Sequence, residues 1–381
     1  MLLTEEHHTI RKTVRDFAER EIRPVARELD EKAEFSVPLT RRMGELGLFG
    51  IRTSHEYGGL DMDTLSYVIA VEELARIDGS QAATLAAHIS LGIGPIMNYG
   101  TGEQKQKYLP MLSSGEGLWA FGLTEPDAGS DSRATKTTAR LEGDQWVING
   151  SKIFITNGAS AMNRGATVQV VSGEQNGQKE FSTILVDADT PGFRRVPMHG
   201  KMMWRASDTA QLFFDDCRVP ASSLLGKRGE GSKIMLNTLD SGRLAIAAMG
   251  LGCAQGAFEM ALKYAKERKQ FGKPIGHFQV IAFKLADMAT KIELARNLLY
   301  KGAWLKSNNQ PFAKEAAMAK LYCSEIAKEV ADEAVQIFGG YGLMKDYDIE
   351  RFYRDQRLLQ IGEGTSEIQR LVISRYIGVY D

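Results

Sequence analysis

The sequence of 381 residues predicts a mainly α-helical fold with a β domain in its middle. Apolar residues recur at spacings of three and four up to about residue 117, and again after about residue 229. Between these regions, β-branched and aromatic residues occur in short runs separated by turn residues. We therefore expect an N-terminal α-helical domain (1–117), a middle β domain (118–228) and a C-terminal α-helical bundle domain (229–381).

The first domain shows amphipathic helical spacing from its start. Ile10, Val14 and Phe17 fall on one helical face with charged residues between them. Proline and glycine residues divide the region into several helices. A second helical unit, 66–77, leads into the small-residue stretch 82–94, which predicts a closely packed core helix.

The β domain is predicted from four runs that are rich in β-branched and aromatic residues. These runs are Gln145–Gly150, Lys152–Gly158, Ser182–Asp187 and Ala210–Asp216. The triplet Asn149-Gly150-Ser151 fits a glycosylation acceptor, but without a secretion signal we expect it to form a hairpin turn.

The C-terminal region carries three long helical segments, 244–269, 278–306 and 313–338, with the lengths of an antiparallel bundle. Its most apolar part, 244–258, is too short for a membrane span and is closed off by charged residues. We expect a buried helix there and no membrane insertion.

Composition and charge exclude several classes of function. The chain has 47 Lys plus Arg against 48 Asp plus Glu, a net charge of −1, so no broad basic surface for nucleic acid is expected. The three cysteines, Cys217, Cys253 and Cys323, lie far apart, which predicts neither a disulfide framework nor a metal site and favours a reducing compartment. Glu5 and Glu6 interrupt any apolar leader at the N-terminus. Signatures of Rossmann dinucleotide binding, phosphate loops, zinc proteases and serine hydrolases do not occur.

The segment 358–375, LLQIGEGTSEIQRLVISR, points most directly to chemistry. Ser366 and Gln369 fit a capping box, so a helix should begin near residue 366. Glu363 then lies in the preceding loop between Gly362 and Gly364, after apolar residues that would desolvate the carboxylate and raise its pKa toward that of a general base. The alternative is a solvated turn with Glu363 as a capping residue, and the pattern alone slightly favours it.

Two segments near the β domain could line a ligand. In 119–134, Thr124, Gly129, Ser130 and the neighbouring amides suit a polar group or a phosphate, although an ordinary turn explains them equally well. The strand 152–158 sets an aromatic beside a hydroxyl, which suits a flat heteroaromatic ligand, although most such strands only pack a core.

Three further segments suggest contacts in the helical bundle. Arg268 can pair with a phosphate, and Gly339-Gly340 lets a backbone approach a ligand closely. Their alternatives are a surface arginine and a helix C-cap. The segment 239–243, LDSGR, sets a carboxylate near a guanidinium close to a predicted helix start, where a plain ion pair is the alternative.

Taken together and in this order, TEPDAGS, RKQFGKPI, QIFGGYG and EGTSEIQR resemble the acyl-CoA dehydrogenase family, and the resemblance runs over the whole chain. It implies a helical N-terminal domain, a β-barrel or sandwich domain and a C-terminal four-helix bundle that bind FAD, usually as a homotetramer. It also implies an acyl-CoA substrate, an electron-transfer flavoprotein as acceptor, and a location in the bacterial cytoplasm or, for a processed eukaryotic form, the mitochondrial matrix.

The resemblance assigns Glu363 as the base that removes the α-proton of an acyl-CoA thioester while a hydride leaves the β-carbon for flavin N5. The resemblance also implies that the thioester carbonyl is polarised by hydrogen bonds from the backbone N–H of the base and from a flavin ribityl hydroxyl. The residues implied to contact the flavin ring are Phe121, Leu123, Thr124, Gly129, Ser130, Phe154, Ile155 and Thr156. Those implied to hold the rest of FAD, partly across a subunit boundary, are Arg268, Phe271, Gln279, Gln336, Ile337, Phe338, Gly339, Gly340, Thr365, Ser366 and Glu367. Those implied to face the acyl-CoA are Ser130, Asp240, Ser241, Gly242, Arg243, Gly362 and Gly364.

Three positions refine this assignment. Some relatives carry the base at the position of Gly242 and lack a glutamate at the position of Glu363, so this chain is consistent with Glu363 as base. Phe154 stands where many members have tryptophan beside the flavin. Gly362 stands where straight-chain enzymes usually have tyrosine. The absence of that ring should widen the pocket, so we expect a short branched or alicyclic acyl group.

The competing functions are an enoyl-CoA reductase or an acyl-CoA oxidase on the same scaffold and a non-catalytic flavin-binding relative.

Overall fold

The computed structural model describes residues 3–379 and begins with a helical region. Its helices are α1 (Glu5–Phe17), α2 (Arg23–Lys32), α3 (Val37–Glu45), α4 (Thr64–Ala75), α5 (Gly79–Ala87), α6 (Gly94–Tyr99) and α7 (Gly102–Ser114). Side-chain oxygens of Ser36, Asp63 and Thr101 accept backbone N–H groups at the starts of α3, α4 and α7, which fixes where these helices begin. The two predicted units at 66–77 and 82–94 correspond to α4 and to α5 with the π-helical segment His88–Ile93.

The middle of the chain forms a β sheet. Its strands are β1 (Leu118–Gly122), β2 (Thr138–Glu142), β3 (Gln145–Thr156), β4 (Asn163–Gln175), β5 (Gln178–Asp187), β6 (Phe193–Pro197) and β7 (Thr209–Pro220). Within the described chain they form one seven-stranded sheet in the order β1-β4-β2-β3-β7-β6, with β5 paired to β4. β1 and β2 run parallel to β4, and the other pairs are antiparallel. One face buries a separate apolar core that includes Ile148, Val168 and Leu212.

The predicted hairpin turn at Asn149-Gly150-Ser151 is wrong. These residues lie inside β3, where Gly150 and Ser151 pair with Phe214 and Phe213 of β7, so the two runs around them form one long strand. Gly150 has a φ of 142°, and a Cβ there would lie 2.6 Å from the Thr137 hydroxyl. The glycine therefore marks a bulge and a close approach within the sheet, which a sequence cannot distinguish from a turn.

The C-terminal region is again helical. Its elements are α8 (Gly231–Glu267), the short strands β8 (Lys269–Gln270) and β9 (Lys273–Pro274), α9 (Gln279–Ser307), α10 (Ala313–Phe338), α11 (Ile349–Asp355) and α12 (Ser366–Tyr376). α10 packs against α8, α9 and α12, and α8 also packs against α4. This arrangement confirms the predicted fold class, a mainly helical protein with a middle β domain. The residue boundaries of the three domains stay a prediction.

Helix α8 is the central element of the molecule and is longer than expected. It begins at Gly231 rather than near Leu244, so the segment 239–243, predicted to lie near a helix start, is inside the helix. By length and composition α8 could cross a membrane, but 78% of its apolar window is buried inside the protein, as in a core helix. Its glycines allow close packing, since a Cβ on Gly252 would lie 2.3 Å from the Glu72 carbonyl oxygen of α4.

A buried polar cluster joins the three regions of the chain. Arg351 of α11 pairs with Asp78 at 2.6 Å, and both side chains are almost completely buried. Asp355 accepts a hydrogen bond of 2.8 Å from the backbone N–H of Trp204, which lies between β6 and β7. The cluster therefore fixes the end of α11, and the loop that follows it, against the other two regions.

Candidate active site

Glu363 lies in the loop between α11 and α12, as the sequence predicted. Its backbone is left-handed with a φ of 52°, and Gly364 follows with a φ of 94°. The Oε2 atom of Glu363 is buried, and among the described residues it has no hydrogen-bond partner. Burial raises the pKa of the carboxyl to about 7, while the positive charges of Lys320 and Arg243 act in the opposite direction. An unpartnered carboxylate with a pKa near neutrality suits a general base.

Gly242 of α8 lies directly against this carboxylate. A Cβ at position 242 would lie 1.9 Å from Glu363 Oε2, closer than any real contact, and 3.3 Å from Leu91 Cδ2. The helix thus brings residue 242 and residue 363 together across more than a hundred positions of sequence. A carboxylate on a side chain at either position would reach the same space. This fits the family resemblance, which implies that some relatives carry the base at position 242 instead of position 363.

The start of α12 differs slightly from the expected capping box. Thr365, rather than Ser366, is the N-cap residue, and its hydroxyl accepts from the N–H of Ile368. Ser366 is buried, and Glu367 is exposed in the first helical turn. Gln369 instead donates to the Gly364 carbonyl oxygen at 2.9 Å, so its amide holds the loop that carries Glu363.

The other predicted substrate residues of α8, Asp240, Ser241 and Arg243, flank Gly242 within one helical turn. Arg243 is buried and pairs with Asp240, and its Nε has no partner among residues 3–379. Ser241 accepts a hydrogen bond of 2.6 Å from Lys306 of α9. Burial lowers the pKa of Lys306 to about 7 and raises that of Asp240, whose charge is stabilised by Arg243 and Lys306. This turn therefore brings the charge of Arg243 to bear on Glu363 and gathers Asp240 and Lys306 beside it.

An apolar cluster lies beside the same turn. Phe121 and Leu123, from the end of β1, pack with the buried Met235 of α8. Leu91 and Leu239 pack against them, and Leu91 also approaches position 242. The cluster is small and separate from the main core, and it supplies an apolar wall near Glu363.

A buried ion pair organises the loop that follows β1. Lys152 of β3 is inaccessible to solvent and contacts Glu125 at 2.7 Å, while its ammonium also donates to the Leu123 carbonyl at 3.1 Å. Glu125 in turn accepts the backbone N–H groups of Lys136 and Thr137 at 2.6 and 3.0 Å. TEPDAGS is therefore tied to β3 and to residues 136 and 137 by a buried ion pair and hydrogen bonds, unlike an ordinary surface turn.

The same loop presents the predicted flavin residues. Thr124 is half-buried, and Gly129 and Ser130 are exposed, with open space around Gly129. Phe154 has a φ of 60° at an irregularity in the pairing of β3 with β7, and 64% of its surface is exposed. A flat aromatic ligand would cover this ring. Ile155 is buried and Thr156 is half-buried at the end of the strand.

A second group of predicted residues lines a groove at the far ends of α8 and α10. The groove has a volume of about 490 Å³, and its lining residues are Tyr264, Arg268, Gln270, Ile275, Ile337, Phe338, Gly339, Gly340, Tyr341 and Met344. The Arg268 guanidinium lies 5.4 Å from the Tyr341 ring centre. Phe271, with 92% of its surface exposed and a φ of 51°, contacts the Phe278 ring. Gln279 and Gln336 are exposed, and each is adjacent in sequence to a residue named above, Phe278 and Ile337 respectively.

These features fit a dinucleotide that carries a flat ring. The exposed Phe154 offers a face for stacking, and Arg268 offers a fork of donors for a phosphate. A Cβ at Gly339 or Gly340 would meet no atom within 4 Å, so a ligand has room there. By contrast, no group of three or more metal-ligating side chains occurs among residues 3–379.

Sequence reasoning missed the buried cations of the site. Lys320 of α10 donates a hydrogen bond of 2.7 Å to the Gly364 carbonyl and is completely buried. Lys306 and Lys152 are the other two lysines beside the predicted residues. A signal existed for Lys320, since the helical spacing that places Ala316 and Cys323 in the core also places residue 320 there.

Comparison with known proteins supports these observations. The family descriptions "Acyl-CoA dehydrogenase, N-terminal domain", "middle domain" and "C-terminal domain" match residues 4–116, 120–217 and 229–378. The chain is 48% identical over 372 residues to the short-chain specific acyl-CoA dehydrogenase of Clostridium acetobutylicum, covering 98% of each chain. It is 46% identical over 380 residues to the acryloyl-CoA reductase (NADH) of Anaerotignum propionicum, covering 98% of this chain and 95% of that one.

Solved structures agree with the sequence relatives. Butyryl-CoA dehydrogenase from Megasphaera elsdenii superposes with a TM-score of 0.96 at 42% identity over 99% of both chains. A chain in a structure of the electron transferring flavoprotein of Acidaminococcus fermentans superposes with a TM-score of 0.97 at 46% identity over 100% of both. Acyl-CoA dehydrogenases are FAD-dependent oxidoreductases that act on acyl-CoA. With all three family domains matched in order along one chain of the same fold, the protein belongs to the acyl-CoA dehydrogenase family.

Proposed function

We propose that the protein dehydrogenates the α,β-bond of a short acyl-CoA thioester to give the 2-enoyl-CoA, with Glu363 as the base. The observation that carries this proposal is the buried Oε2 of Glu363, which has no hydrogen-bond partner among residues 3–379 and a pKa near 7. A carboxylate in that state can take a proton at neutral pH.

The α C–H bond of a thioester is a weak acid, so the carbonyl must be polarised while the proton leaves. Among residues 3–379, no protein acceptor is bonded to the backbone N–H of Glu363, which leaves this donor available for the thioester oxygen. The proton moves from the α-carbon to the Glu363 carboxylate as the developing negative charge is held by that N–H. The apolar cluster of Phe121, Leu123 and Leu91 excludes water from the reacting carbons.

Bound FAD would supply the acceptor for the hydride that leaves the β-carbon. We propose that Phe154, Ile155 and Thr156, with the loop 121–130, hold its flavin ring, and that the groove around Arg268 holds the phosphate end of an FAD molecule. The exposure of Phe154 and the open space at Gly339 and Gly340 support this division. The remaining residues implied by the resemblance stay predictions with the same roles.

The central test is Glu363→Gln. The variant should keep its bound flavin but lose the bleaching of the oxidised flavin spectrum during anaerobic titration with acyl-CoA thioesters. The matched control is Glu329→Gln on α10, an exposed carboxylate paired with Lys291 on the surface. A Glu363→Gln enzyme that still bleached would place the base elsewhere, and a native protein without flavin would defeat the whole proposal.

The acyl group is proposed to be short and branched or alicyclic. The named short-chain relatives support the short length. Gly362 supports the branch, because a Cβ there would meet only the Leu358 side chain and carbonyl at 3.4 to 3.6 Å, so space remains beside the loop. Gly362→Tyr should fill this space and slow branched and alicyclic thioesters more than linear ones. Faster reduction of the native enzyme by linear medium-chain thioesters would contradict the branched assignment.

A second candidate is the reverse reaction, reduction of a 2-enoyl-CoA. The similarity to an acryloyl-CoA reductase favours it specifically. The same Glu363, in its protonated form, would then donate the proton to the α-carbon. Two rates decide between the directions: the rate with a saturated thioester and an electron acceptor, and the rate with an enoyl thioester and a reductant. Oxygen consumption during the first reaction would reveal an oxidase.

An electron-transfer flavoprotein is the proposed acceptor, and its support is the related chain in a structure of such a flavoprotein. The homotetramer and the cytoplasmic or mitochondrial location stay predictions. Light scattering of the purified enzyme tests the first of these.

A further inference from the structure

Lys320 is a buried cation with an unusual partner. Its side chain has no solvent exposure, and its Nζ donates a hydrogen bond of 2.7 Å to the carbonyl oxygen of Gly364, the residue after the base. Fully buried lysines are rare unless they are paired. We propose that Lys320 is a positioning residue, which holds the loop that carries Glu363 and balances the charge of its carboxylate. This inference rests on the proposed role of Glu363.

The loop needs such support because its backbone is strained. Glu363 has a φ of 52°, which is uncommon for a residue with a side chain, and Gly364 has a φ of 94°. Strained backbone at a functional site persists only when its surroundings hold it. Lys320 from α10 and Gln369 from α12 both donate to the Gly364 carbonyl, at 2.7 and 2.9 Å. The orientation of the base therefore depends on two donors from two helices.

The second effect is electrostatic. Burial raises the pKa of Glu363, and the positive charges of Lys320 and Arg243 lower it. Burial lowers the pKa of Lys320 to about 8, while the charge of Glu363 opposes that change. The other titratable and charged groups that face this pair are Arg243 of α8, Tyr67 of α4, Glu325 of α10 and Glu367 of α12. Arg243 also pairs with Asp240, whereas the negative charge that acts most strongly on Lys320 is that of Glu363.

These two effects predict different readouts. Loss of the ammonium should raise the pKa of Glu363, so the pH at which the base becomes active should move above about 7. Loss of the hydrogen bond should misplace the carboxylate and lower the rate even where the base is ionised, by about tenfold to a hundredfold. A lysine that only stabilised the fold would change neither the midpoint nor the plateau.

The experiment compares Lys320→Met and Lys320→Arg in the FAD-loaded protein. Proton removal is measured as deuterium incorporation into the methyl group of acetyl-CoA in D₂O. Acetyl-CoA has α-hydrogens but no β-carbon, so exchange reports the base without hydride transfer. Lys320→Met should lower the plateau and raise the midpoint, and Lys320→Arg, which keeps a cation and donors, should restore most of both.

The matched control is Lys201→Met. Lys201 is also a largely buried lysine whose pKa burial lowers to about 8, and it bonds the carbonyls of Trp204 and Ser207 away from the base. Its removal should leave the midpoint and plateau of exchange unchanged. Should Lys320→Met fail to fold, Lys320→Gln takes its place with the same expected movement of the midpoint.

Two results would overturn the proposals separately. A folded Lys320→Met or Lys320→Gln enzyme with native midpoint and plateau would refute the role of Lys320. Exchange that survives in Glu363→Gln would instead refute Glu363 as the base.

Discussion

Gly242→Ala should give a stable enzyme with a displaced base. A Cβ at position 242 would lie 1.9 Å from Oε2 of Glu363, whereas real Cβ contacts are not shorter than 3.0 Å. The carboxylate must therefore move by at least about 1.1 Å. A displacement of about 1 Å at a reacting group costs about a hundredfold in rate. We expect kcat to fall by that factor, which corresponds to about 2.7 kcal/mol in the activation free energy.

Stability should not fall with the rate. The clashing atom is the end of a flexible side chain, so the backbone of α8 does not have to move, and the contact with Leu91 at 3.3 Å is tolerable. Alanine is also a better helix former than glycine by about 1 kcal/mol in a helix interior. The free energy of unfolding, measured by chemical denaturation, should therefore stay the same or rise slightly.

The assay is stopped-flow reduction of the flavin by the preferred thioester, together with the flavin content of the purified variant. Gly102→Ala is the matched control, because Gly102 begins α7 and a Cβ there meets nothing within 4 Å. A Gly242→Ala enzyme that reduced its flavin within threefold of the native rate would refute the reasoning, because the carboxylate beside residue 242 could not then be the base.

Three further predictions concern the base, the cofactor and the fold. Since burial raises the pKa of Glu363 to about 7 and the base must be ionised, kcat/KM should fall about tenfold per pH unit below that value and level off above it; a flat profile from pH 5.5 to 8 would contradict this. Arg268→Ala should weaken FAD binding about tenfold to a hundredfold, the value of a charged hydrogen bond, as measured by flavin fluorescence. Arg351→Met leaves the buried Asp78 without its partner and should lower the free energy of unfolding by about 3 to 5 kcal/mol.

The sequence predicts the order of helices and strands because that order depends on local periodicity. The helix 313–338 was predicted with the bounds it has, since apolar spacing and flanking residues agree along its whole length. The prediction misses the first part of α8 because polar residues and glycines interrupt the apolar spacing in 231–243. Asn149-Gly150 was misread because a bulge inside a sheet and a hairpin turn use the same residues.

The candidate site was predictable where a motif carries its chemistry in adjacent residues. Gly362, Glu363 and Gly364 are contiguous, so the apolar run before them suggests a desolvated base, although the pattern alone slightly favours a solvated turn and the family resemblance is needed to choose between them. Lys320 was not predictable in the same way. It lies 43 residues before Glu363 on another helix, and although the helical spacing places residue 320 on the buried face, the sequence does not show which partner a buried lysine would have there. Contacts of that kind depend on how α10 and α12 pack.

Lys152 and Lys320 each donate a hydrogen bond to one of the two loops that contain residues of the candidate site. Each is completely buried, has a pKa that burial lowers to about 8, and donates to a loop carbonyl, that of Leu123 or of Gly364. Loop carbonyls buried without a strand or helix partner need a donor, and a long side chain can reach them from a neighbouring element. The counter-charges differ. Lys152 has Glu125 at 2.7 Å as an ion-pair partner, whereas the negative charge that acts most strongly on Lys320 is that of Glu363, which in the proposed mechanism would become neutral on taking the substrate proton. Protonation of the base would then leave the Lys320 ammonium buried beside a neutral acid, which disfavours the protonated form of Glu363 and favours loss of its proton.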